Sequence, residues 1–142
     1  MNERALCLVG TLALAGCGGT AAGGGAVSTP SAPAVNCASL PPADAPDTTT
    51  TLGPDQDHKT FCLHIGDTVS VFLNVPLAEA DTGKWAPITA SDTSVLERVP
   101  NGALTLVRGV TAGIFKIRQA GTSRLSSSRP SGQTWEATIV VE

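Results

Sequence analysis

The feature that most restricts what this chain can fold into is a two-residue period in its apolar side chains. In Thr68-Val69-Ser70-Val71-Phe72-Leu73-Asn74-Val75, the residues Val69, Val71, Leu73 and Val75 fall on one side. In Thr134-Trp135-Glu136-Ala137-Thr138-Ile139-Val140-Val141, the residues Trp135, Ala137, Ile139 and Val141 do the same. Successive side chains of an extended strand point to opposite faces, so such runs bury one face and wet the other. Shorter runs at 61–65, 95–99, 104–107, 113–119 and 123–126 are separated by turn residues. Gly66-Asp67 predicts a hairpin between 61–65 and 68–75, and Asn101-Gly102 another between 95–99 and 104–107. Ser126-Ser127-Ser128 reads as a loop. Pro41, Pro42, Pro46 and the four threonines 48–51 read as an irregular or edge segment. The helix signal is confined to Leu77-Ala78-Glu79-Ala80, between Pro76 and Gly83. About seven short strands at this spacing predict an all-β fold, an immunoglobulin-like antiparallel β-sandwich over residues 36–142.

What precedes that domain has a different character. Residues 1–16 read as a lipoprotein signal peptide: Arg4 and the amino terminus, an uncharged apolar run from 5 to 15, then Leu14-Ala15-Gly16-Cys17. The run is shorter than the roughly 20 residues that span a bilayer. Small residues at 15 and 16 give a peptidase access to the backbone, and Cys17 supplies a thiol for diacylglycerol. Palmitate-type acyl chains bind a membrane by about 0.8 kcal/mol per buried methylene, so two chains hold stably. Residues 17–35, rich in Gly, Ala, Pro and Ser, read as a flexible tether. The expected location is the extracytoplasmic face of the cell membrane, with the lipid on Cys17 as the membrane contact.

Cysteine use fits that compartment. Cys7 leaves with the signal and Cys17 takes the lipid, which leaves Cys37 and Cys62 for a disulfide. His58 and His64 lie near Cys62, but their spacing matches no zinc motif, and no metal or cofactor is expected. Aromatic residues make up 4% of the chain and tyrosine is absent, so the core must rest on Val, Leu and Ile, and a cross-link helps. The net charge of −3 is unevenly spread: nine acids oppose Lys59 and Lys84 over 36–97, and six bases oppose Glu136 and Glu142 from Arg98 onward. In a sandwich the two halves interleave, so the asymmetry either cancels in space or leaves a dipolar surface that orients a partner, and no clustered basic surface for nucleic acid is indicated. Serines are plentiful, yet none lies in a Gly-x-Ser-x-Gly or Ser-x-x-Lys setting, and Asp55 and Asp57 sit in ordinary turn chemistry. The chain therefore reads as a non-catalytic binding module of the cell envelope, its partner an unidentified envelope or extracellular protein.

Gly66-Asp67-Thr68-Val69-Ser70-Val71, Ser91-Asp92-Thr93-Ser94-Val95-Leu96, Gly113-Ile114-Phe115, Ala120-Gly121-Thr122-Ser123-Arg124-Leu125 and residues 135–141 together resemble small immunoglobulin-like lipoproteins of actinobacteria. More distantly, the Gly-Asp-Thr-Val string is similar to the chagasin-type inhibitors of papain-like cysteine proteases, whose three loops wedge into the protease cleft. That resemblance implies binding loops at Thr82-Gly83-Lys84-Trp85 and Arg129-Pro130, with Pro100-Asn101-Gly102-Ala103 at the glycine-rich second loop. The Asn-Pro-Thr that normally opens the first loop is missing, and Ser131 stands where an aromatic is expected in the third. Trp85 is either a core plug, the commoner role in sandwiches, or an exposed anchor. Trp135 reads as core. Arg129, taken alone, reads as a solvated loop residue.

Overall fold

The computed structural model describes residues 34–101 and 107–142. The signal peptide, Cys17 and the tether up to residue 33 lie outside the described residues, as do Gly102, Ala103 and most of the run expected at 104–107. Val35–Glu142 forms one compact unit.

Among the described residues of this unit, eight strands build two four-stranded sheets. They are β1 (Thr50–Leu52), β2 (Lys59–Leu63), β3 (Thr68–Asn74), β4 (Thr89–Ala90), β5 (Leu96–Val99), β6 (Val110–Ile117), β7 (Gly121–Ser128) and β8 (Thr134–Val141). One sheet has the order β1-β3-β6-β5 and the other β2-β8-β7-β4. Together they form the immunoglobulin-like sandwich that the alternation predicts, with one difference in pairing. β1 runs parallel to β3 and β2 parallel to β8, so both sheets are mixed and not purely antiparallel.

The two sheets close on the faces the period-2 reading marks. Trp135, Ala137, Ile139 and Val141 of β8 are buried, as are Val69, Val71 and Leu73 of β3, with Phe61, Leu63, Phe115, Ile117 and Leu125 completing the core. Trp85 and Trp135 are 4% and 2% exposed. Each indole N–H donates to a backbone carbonyl, Trp85 to Asn74 at 3.3 Å and Trp135 to Gly53 at 3.1 Å. This satisfies the one polar atom a buried tryptophan carries.

Gly66-Asp67 does not make a hairpin. It carries the chain from β2 in one sheet to β3 in the other, with Gly66 at a φ of 96° that disfavours a side chain. The β5 strand pairs with β6 and not with a partner across Asn101-Gly102. Ser126, Ser127 and Ser128 are strand and not loop: they pair with Glu136, Trp135 and Thr134, and Ser127 is buried with its hydroxyl donating to Ala86 O at 2.7 Å. Three small polar residues in sequence look like a turn until a partner strand supplies the ladder.

The Cys37–Cys62 disulfide is formed, with a Cα–Cα distance of 5.5 Å. It begins a strap that closes one side of the sandwich. Ala38 N donates to Thr60 O at 2.7 Å beside β2, and Thr51 N of β1 then donates to Pro42 O at 3.3 Å. Beneath the strap the hydroxyls of Thr51 and Ser70 meet at 2.8 Å and that of Thr50 donates to Pro41 O at 2.7 Å, so these buried groups are paired. On the opposite side Arg98 of β5 reaches across to Ile88 O at 2.8 Å, just before β4.

Candidate binding site at the loop end

The strand directions gather the connections β3–β4, β5–β6 and β7–β8 at one end of the sandwich. β3 finishes beside the start of β6, where Asn74 pairs with Val110 and Val75 N donates to Gly109 O at 3.0 Å. β7 finishes where β8 starts, with Ser128 opposite Thr134, and Ala86 N of the β3–β4 connection donates to Ser128 O at 2.8 Å. Residues far apart in sequence thus meet here. The structure brings together the residues that the sequence nominates in the first and third loops: Thr82, Lys84, Trp85, Arg129 and Pro130 line a shared open groove of about 460 Å³, with Gly83 between them in the chain, whereas Pro100 and Asn101 of the expected second loop are not part of it.

Arg129 is the joint of this end. Its side chain is 12% exposed, not solvated as the sequence reading has it. Its Nε donates to Gly83 O at 2.7 Å and its Nη1 to Gln133 Oε1 at 3.0 Å, while Nη2 pairs with the Glu79 carboxylate. The guanidinium carbon lies 5.6 Å from the centroid of the Trp85 ring, within range of a cation–π contact. One side chain therefore fixes the β7–β8 turn against three positions of the β3–β4 loop. Only a planar fork with several donors can do this at once.

Gly83 sits tightly in the same packing. A Cβ there would lie 3.0 Å from Glu79 Cβ and 3.2 Å from Arg129 Nη2. A second ion pair, Arg108 with Asp81, ties the β5–β6 connection to the β3–β4 loop, with Nε at 3.2 Å from Oδ1. Trp85 takes the first of its two expected roles: it is the plug on which the loop is built. Its backbone carbonyl accepts from Thr111 Oγ1 at 2.8 Å, which fastens the loop to β6 as well. Lys84 and Thr82 are exposed.

The sequence reading misses Glu79 and Asp81. Both occupy the stretch where the Asn-Pro-Thr of the chagasin-type loop is absent, and they pair with Arg129 and Arg108 respectively. A Glu and an Asp ahead of a Thr-Gly turn carry no signal in sequence, because their partners lie in other connections.

On the β2 edge, near the start of β8, His58 has Nδ1 3.3 Å from Glu136 and Nε2 3.5 Å from Asp57. His64 is 83% exposed near Asp67. Among the described residues no three His, Cys, Asp or Glu side chains gather as a metal site. Asp92, in the turn between β4 and β5, is held below the usual carboxylate range by the Ser94 hydroxyl and then by the Ser94 backbone N–H.

No protein-family model and no curated protein matches this chain. Among solved structures it is similar to a cysteine protease inhibitor, EhICP2, from Entamoeba histolytica, at 14% identity and a TM-score of 0.51, covering 65% of this chain and 93% of that one. PbICP-C, solved in complex with falcipain-2, matches at 11% identity and a TM-score of 0.38 over 70% of this chain and 93% of its own. At these identities the likeness is one of fold: the Val35–Glu142 unit is an immunoglobulin-like sandwich of a kind that includes a cysteine protease inhibitor.

Proposed function

We propose that this chain is a protein-binding inhibitor of papain-type cysteine proteases that acts through its loop end, without catalysis, from the outer face of the cell membrane. The observation that carries the reading is the Arg129 joint. The two sequence strings that resemble the inhibitor loops, Thr82-Gly83-Lys84-Trp85 and Arg129-Pro130, lie side by side and are locked to one another. A rigid wedge loses little conformational entropy on entering a cleft, which is the main requirement for blocking an enzyme by binding alone. The fold shared with a cysteine protease inhibitor supports the same reading. It therefore takes precedence over the broader one of an envelope binding module with an unspecified partner. Anchoring through a lipid on Cys17 rests on the sequence of residues 1–17 and belongs to the proposal.

The test is a steady-state inhibition assay of papain with the full chain in detergent, with Arg129→Ala alongside. The expected result is saturable inhibition that weakens by about tenfold or more in Arg129→Ala, as befits loss of a preorganising contact. Absence of inhibition at micromolar concentration overturns the reading and returns the chain to the broader class of binding modules.

A further inference from the structure

Resting on that reading, we infer that the partner is gripped by Leu77, helped by Val107 of a neighbouring connection, and not by the tryptophan that the loop sequence offers. Trp85 is 4% exposed and engaged on several sides, so it has no surface left to insert into a partner. Leu77 is the opposite case: an exposed apolar side chain on a loop that is firmly held. It opens a single 3-10 turn, Leu77–Glu79, and is 74% exposed.

Isolated exposed leucines are common on protein surfaces and mean nothing by themselves. Two things set this one apart. The first is its support. Glu79 N donates to Pro76 O at 2.8 Å and Ala80 N to Leu77 O at 3.3 Å, which closes the turn. Glu79 is bound by Arg129 and Asp81 by Arg108, so the segment is pinned from two neighbouring connections. Ala80 is buried at 4% exposure behind it, close to where a side chain on Gly109 would lie. Leu77 is thus presented in a fixed position.

The second is its company. Val107 is 69% exposed and precedes Arg108, the residue that reaches over to Asp81. The segments that carry these two side chains are therefore joined by one ion pair at the end that carries the loop candidates. The remaining large exposed apolar residues among those described, Val35, Leu40 and Ile65, lie in the strap or at the opposite end. Two exposed apolar side chains held on pinned connections of the loop end, with the exposed cation of Lys84 in the same loop as Leu77, fit a cleft with apolar walls. The substrate cleft of a papain-type protease has that form.

The experiment measures inhibition of papain by the full chain in detergent for the wild type, Leu77→Asp, Val107→Asp and Ile65→Asp, with thermal melting of each. All three sites are more than half exposed, so melting temperatures should stay within a few degrees of wild type. A loss of about 30-fold or more in Leu77→Asp, a smaller loss in Val107→Asp and none in Ile65→Asp is expected, as for a central contact beside a peripheral one. Inhibition by the wild type that Leu77→Asp leaves within about twofold overturns this inference while leaving the proposed function standing. Failure of the wild type to inhibit overturns both.

Discussion

Every nitrogen of the Arg129 guanidinium has a partner, and its face covers Trp85, so the residue unites hydrogen bonding, charge and packing in one place. Replacing it with alanine strands the Glu79 carboxylate and uncovers the indole. Because Glu79 is half exposed, the charge contributes less than a buried pair would, and the expected loss of stability is about 2 kcal/mol by chemical denaturation. Arg129→Lys keeps the charge but not the fork, and should recover less than half of that loss. Trp85→Ala opens a cavity where the loop rests and should cost about 3–5 kcal/mol. The Asp92 carboxyl is depressed by its bonds to Ser94, so its contribution to stability is present above the ordinary carboxylate range and fades as pH falls through its folded value. Ser94→Ala should move the Asp92 titration, followed by NMR, back up toward the ordinary carboxylate value.

At the scale of elements, β8 and β3 were legible because their apolar residues alternate without interruption and both sheets bury the marked face. The limits of β7 were not. Ser126, Ser127 and Ser128 have neither strand propensity nor bulk, and it is the ladder to Thr134, Trp135 and Glu136 that makes them strand. The hairpin expected at Gly66-Asp67 failed for a related reason: a tight turn between alternating runs is compatible with either pairing in one sheet or crossing to the next. Only the burial of Phe61 and Leu63 against the other sheet decides between them. The loop candidates could be read from short strings, but Arg129 could not be recognised as their joint, since Gly83, Glu79 and Trp85 are distant in sequence. The strap has an outcome of its own. Removing the disulfide with paired Cys37→Ala and Cys62→Ala substitutions should lower stability by roughly 3 kcal/mol, the chain-entropy value for a loop with a separation of 25 residues. Amide exchange at Ala38 and Thr51, which hydrogen-bond within and against the strap, should accelerate before that of β8.

For the whole molecule, the position of the disulfide decides how it bears a load. Cys62 lies opposite Val140, near the finish of β8, whereas the three connections gather where β8 starts at Thr134. At about 3.3 Å per strand residue, roughly 20 Å separate the two ends. A pull applied to the chain upstream of Val35 is delivered through the Cys37–Cys62 bond into β2. There β2 is held by the parallel ladder from Lys59–Ala137 to Leu63–Val141. Arg129, Arg108 and the turn that carries Leu77 lie off this line of tension. With the anchoring proposed above, a captured protein pulling against the tether would leave the geometry of the gripping end intact while the far end carried the strain.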